Sequence, residues 1–65
     1  MIADRTTTAR IFDVSTDTVR AWQKAGCPYR EPENPRGTPA QRRVHYETAR
    51  VHEWLVQRAL RSAYW

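Results

Sequence analysis

The residues best placed for chemistry lie between Thr16 and Lys24. Asp17, Arg20, Ala21 and Lys24 follow one another at i, i+3, i+4 and i+7, so a helix would present them on one face. That set suits a nucleic-acid groove. Arg20 can donate two hydrogen bonds to guanine O6 and N7, and Lys24 can reach guanine or a phosphate. The small Ala21 lets a helix approach the groove floor and meet a thymine methyl. Asp17 can accept from cytosine N4 or orient Arg20. Thr16 and Thr18, at the helix start, can donate to phosphates. A second group, Arg30, Arg36, Arg42 and Arg43, surrounds a stretch punctuated by proline and glycine, with Arg36-Gly37 near its tip. An arginine on such a tip can follow a backbone or enter a narrow minor groove. Arg42-Arg43 suits backbone contact better. The ordinary alternatives are a solvated helix face and a surface loop whose charge Glu31 and Glu33 dilute.

Composition agrees with a polyanionic partner. Of 65 residues, 11 are basic and 7 acidic, a net charge of +4, and all but Lys24 of the basic residues are arginine. Catalysis is not expected. The acidic residues form no acid–base pair, and Ser15 has no evident histidine partner. Cys27, His45 and His52 are too few and too scattered for a structural zinc site, and no cofactor is implied. A single cysteine permits no internal disulfide, which fits a reducing, cytoplasmic interior. The chain shows neither an apolar run of about 18 residues nor a charged-then-apolar leader, so no membrane segment or secretion signal is expected.

Three elements must position these residues. Asp4 or Thr6 can cap a short helix running to Phe12, whose inward face is Thr8, Ala9 and Phe12. Asp13 falls at a tight turn, where it is among the few residues besides glycine that tolerate a left-handed backbone. Ser15 then caps a second helix from Thr16 to Ala25, stopped by Gly26, with Val19 and Trp22 inward. Residues 26–43 hold both glycines and all four prolines and cannot be one helix. Within and beside them, 27–30 and 43–46 read as two extended segments of an antiparallel hairpin whose loop is 31–42, with Val44 and Tyr46 facing the core. A last helix over 47–61 presents Val51, Trp54, Leu55 and Arg58 as one stripe. The tail 62–65 has no clear assignment. The expected architecture is mainly α with a small β-hairpin, a single winged helix-turn-helix domain over 1–61 with three helices plus a wing.

The stretch Ala9-x-Ile11-Phe12-x-x-Ser15-x-x-Thr18-Val19-x-x-Trp22-x-x-x-Gly26-x-Pro28 resembles the N-terminal winged helix-turn-helix of the small terminase subunit of lambda-like phages. Val44-x-Tyr46 and the later Val51-x-x-Trp54 resemble its return strand and following helix. The likeness spans about residues 4–58 and is shared more loosely with MerR-type regulators and phage excisionases. It implies double-stranded DNA binding, with the second helix in the major groove and the wing on the neighbouring backbone. For the terminase family it implies recognition of the packaging-initiation site on viral DNA and a large terminase subunit as partner. The recognition-helix positions carried over are Thr16, Asp17, Arg20, Ala21 and Lys24. The wing here is longer and richer in proline, and the chain ends soon after the third helix, where the family continues into self-association segments. A homodimer on adjacent half-sites would suit so small a footprint. An excisionase or MerR-like regulator is the alternative of the same class. A protein-interaction adaptor using its basic face is the alternative of another class.

Overall fold

The computed structural model describes the backbone of residues 1–64 and the side chains of residues 1–62. It is mostly helical, with three helices and a two-stranded antiparallel sheet. In chain order these are β1 (Ile2–Asp4), α1 (Arg5–Ile11), α2 (Thr16–Lys24), β2 (His45–Glu47) and α3 (Thr48–Tyr64).

The first two helices end in the same way. Asp4 caps α1 by accepting from the Thr7 amide at 2.8 Å, while Thr6, the other candidate cap, lies inside the helix. After the C-cap Phe12, Asp13 takes a left-handed backbone with φ of +55°. The Val14 amide then bonds back to the Ala9 carbonyl at 2.9 Å, and the Asp13 amide to Arg10 at 3.3 Å. That pair of bonds is a Schellman ending, which satisfies carbonyls the helix leaves free. Ser15 restarts the chain as the cap of α2, accepting from the Thr18 amide at 3.2 Å. Helix α2 closes identically, with Cys27 N–H to Trp22 and Gly26 N–H to Gln23. Gly26 sits there at φ +111°, a conformation that side-chain-bearing residues rarely adopt.

The sheet differs from the expected hairpin. Strand β2 pairs with the N-terminal strand β1, in the register Ile2↔Glu47, Ala3↔Tyr46 and Asp4↔His45. The 27–30 segment reaches β2 only through one bridge, Arg30↔His45, closed by amide-to-carbonyl bonds of 2.7 and 3.4 Å. Proline explains the difference. Pro28 has no N–H to give a ladder and Pro32 ends the run, so the segment cannot extend its pairing. Residues 2–4 carry no such restriction, and Ala3 is small enough to be buried against Tyr46. Helix α3 also begins one residue later than expected, because Glu47 belongs to β2, and it continues through residues 62–64. Trp65, in the unassigned tail, lies outside the described residues.

Every element contributes to the core, β1 through the buried Ala3. Ala9, Val19, Cys27, Tyr46 and Val51 form the buried cluster, and Phe12, Val14, Trp22, Val44, Trp54 and Leu55 pack around it half-buried. Phe12 and Trp22 meet edge to face, with ring centroids 5.9 Å apart. Trp54 also receives the Arg58 guanidinium on its ring face at 5.2 Å.

Thr8 is the discordant member of this interior. It is fully buried, and its hydroxyl finds no hydrogen-bond partner among the described residues. A buried hydroxyl without a partner costs about 1–3 kcal/mol relative to an apolar group of the same shape. Thr8→Val is therefore expected to raise the unfolding free energy by about 1 kcal/mol, read from the urea midpoint at unchanged slope. A lowered midpoint would show that the hydroxyl is engaged.

Candidate nucleic-acid interface

One open cleft of about 680 Å³ brings residues from three parts of the chain together. Helix α2 contributes Thr16 and Arg20. The segment leading into β2 contributes Arg42, Arg43 and Val44, and the start of α1 contributes Arg5 and Thr6 beside Asp4. Four arginines and one aspartate thus line the cleft.

Local structure accounts for each position. Ser15 caps α2 just before Thr16, so the helix start, where amide donors are free, opens at the cleft. Arg20 stands one turn further along, fully on the solvent side, because Val19 beside it is buried. Asp17, Ala21 and Lys24 are exposed on the same helix beyond the cleft. Thr18 is half-buried and turned toward the cap, with its hydroxyl 3.0 Å from that of Ser15.

Of the four arginines expected on a wing, the structure gathers two. Arg42 and Arg43 line the cleft, whereas Arg30 and Arg36 do not. Arg30 is held by its bridge to His45 and borders other hollows, one with Tyr29 and Arg50 and one with Glu31 and Glu33. Arg36 is exposed in the turn that begins at Asn34, whose side chain accepts from the Arg36 amide at 3.1 Å.

Arg5 is the cleft residue that sequence reasoning missed. Its Nε reaches the Tyr46 hydroxyl at 3.3 Å and one Nη reaches Gln23 Oε1 at 3.1 Å, while the Tyr46 hydroxyl donates to the same Gln23 oxygen at 2.7 Å. A cation in the first turn of a helix opposes the helix dipole. An arginine directly after the N-cap is therefore a residue that needs a specific partner, and that was the available signal.

Asp4 joins the cleft to the fold. The Thr7 amide and hydroxyl, and more weakly Arg43 and His45, hold its carboxyl below the usual aspartate range. Arg43 lies 3.6 Å from its other oxygen and is 60 % exposed, so the pair is a weak surface contact, not an anchor. Cys27 offers no nucleophile. Burial pushes its thiol pKa up, which keeps it protonated. Among the described residues no group of three or more His, Cys, Asp or Glu side chains is placed to hold a metal ion, and no helix is long and apolar enough to cross a membrane. No family model, curated protein or solved structure matches the chain.

The depressed Asp4 pKa sets a pH signature. A carboxyl whose folded pKa lies below its unfolded value of about 3.9 stabilises the fold above that pH, and the contribution fades as pH falls through the folded value. Asp4→Asn keeps a cap acceptor but no charge. It is expected to be less stable than the unaltered chain at pH 7 and to converge with it as pH drops below about 4. A stability gap that stays constant from pH 7 to pH 2 would remove the carboxylate charge from the account.

Proposed function

We propose that the chain binds double-stranded DNA as a winged helix-turn-helix, without catalysis. The observation that carries this reading is the cleft in which Thr16 and Arg20 of α2 converge with Arg5, Arg42 and Arg43. In this reading α2 enters the major groove. Arg20 reads guanine, and Asp17, Ala21 and Lys24 face the base edges further along. The 31–44 segment is the wing, and Arg42 and Arg43 grip the phosphate backbone beside the groove. Arg30 serves no contact in the cleft, and Arg36 remains a candidate for the backbone beyond it.

The resemblance to small terminase subunits makes the packaging-initiation site of viral DNA the leading target. The large terminase subunit is then the protein partner, and the bacterial cytoplasm the place of action. The excisionase and MerR-like readings share the same groove chemistry and differ in the sequence bound.

A salt series on duplex DNA tests the reading. With Arg20 on a base, the three cleft arginines left for phosphates, Arg5, Arg42 and Arg43, give a log–log slope of about −3. Absence of binding at low salt would leave the basic face to a protein partner and end the DNA hypothesis. Two substitutions separate reading from gripping. Arg20→Ala is expected to lose preference between sequences. Arg42→Ala is expected to weaken all duplexes about equally and to reduce the slope by about 1. Equal losses on specific and random DNA for Arg20→Ala would remove it from base recognition.

A further inference from the structure

The stretch between Glu31 and Val44 contains a small folded unit of its own. Thr38 and Gln41 cap each other. The Thr38 amide donates to Gln41 Oε1 at 3.0 Å, and the Gln41 amide donates to Thr38 Oγ1 at 3.3 Å. This is the reciprocal capping box of a helix start, with Pro39 in the first helical position, where its missing N–H costs nothing. One turn follows, closed by the Arg42 amide on the Thr38 carbonyl at 3.1 Å. The Gln41 carbonyl in turn accepts from the Asn34 amide at 3.1 Å, which ties the turn to the Asn34–Gly37 bend. Gly37 shows how closely the two are packed, since a Cβ there would collide with the Gln41 carboxamide and crowd the Asn34 side chain.

We propose that Thr38 and Gln41 are positioning residues for DNA binding: their mutual cap holds the turn that delivers Arg42 and Arg43 to the cleft beside Arg20. The inference rests on the DNA-binding reading and adds to it the device that organises the wing. Two observations carry it. The turn ends at Arg42, and Arg42 and Arg43 are the only loop arginines that line the cleft. The unit also has almost no burial to fix it, because from Glu31 to Arg43 only Pro32 and Gly37 are even half-buried. Hydrogen bonds between its own residues therefore set its shape. Without the cap, the two arginines would ride on a free loop, and binding would have to order it. Apparent affinity then falls by the fraction of chains that hold the turn.

The test uses fluorescence anisotropy with a random-sequence duplex at low salt. Thr38→Val preserves shape and removes the hydroxyl acceptor; Thr38→Ser keeps an acceptor. Loss of one capping interaction is expected to weaken binding about fivefold in Thr38→Val, with Thr38→Ser close to the unaltered chain. The thermal midpoint should hardly move, since the unit lies outside the core. In a chain already carrying Arg42→Ala and Arg43→Ala, Thr38→Val should have no further effect, because the cap acts through those arginines. Unchanged binding by Thr38→Val, or an equal loss on the arginine-free background, overturns the inference alone. Failure of the unaltered chain to bind duplex overturns the DNA-binding reading and this inference with it.

Discussion

The hydroxyl of Tyr46 is the point on which the arrangement depends. Tyr46 is fully buried at the centre of β2, opposite Ala3, so its ring fills the core while its hydroxyl needs partners. It finds them in Gln23 of α2 and Arg5 of α1, which also bond to each other. Three elements distant in sequence are thereby fixed at one polar point. The apolar cluster alone specifies that the elements pack. Dispersion and burial are tolerant of small rotations, whereas hydrogen bonds in a partly buried site are not. The triangle ties α2, which carries Arg20, to the strand that follows Arg42 and Arg43.

The turn between α1 and α2 imposes the second constraint. Two helices of seven and nine residues have little stability of their own and persist because each is capped at both ends and packed on the other. Asp13 accepts a left-handed backbone at some steric cost, so that the Val14 amide can return to Ala9 and Ser15 can start α2 two residues after the turn. A longer connection would let α2 rotate and take Thr16 and Arg20 away from Arg42 and Arg43. The same logic reaches the 31–44 segment, where the Thr38–Gln41 cap does in an exposed loop what Ser15 does in the body of the domain.

Much of this was legible in the residues. The cap at Ser15, the turn at Asp13, the stop at Gly26 and the inward stripes of all three helices follow from local chemistry, which acts within four residues, while the cap of α1 was narrowed only to Asp4 or Thr6. The sheet was not legible in the same way. Arg43-Val44-His45-Tyr46 reads as a strand, of which His45 and Tyr46 fall in β2, but its partner is chosen by competition between segments. The loss goes to the segment whose prolines cannot donate, and nothing in Ile2-Ala3-Asp4 alone announces a strand. Arg20, Arg42 and Arg43 could be named as candidates from charge and spacing, yet that they share a cleft and that Arg30 does not is a property of the strand order. The Thr38-Pro39-Ala40-Gln41 cap was written in the sequence in plain form. Four prolines nearby made the whole stretch read as irregular loop.

The charge gathered in the cleft works against the compact state. Like charges brought together destabilise a compact state, and a domain of 65 residues has little stability to spare. Arg5 is compensated by neutral acceptors, Tyr46 and Gln23, which orient its guanidinium without cancelling its charge. Arg43 has Asp4 at 3.6 Å, too long for a strong bond, while Arg20 and Arg42 have no carboxylate within ion-pair distance among the described residues. Held on one wall, they concentrate positive charge at the cleft. Asp4 anchors α1 through Thr7 and holds Arg43 only loosely, so the charge of Arg43 is left largely uncancelled beside that of Arg20 and Arg42.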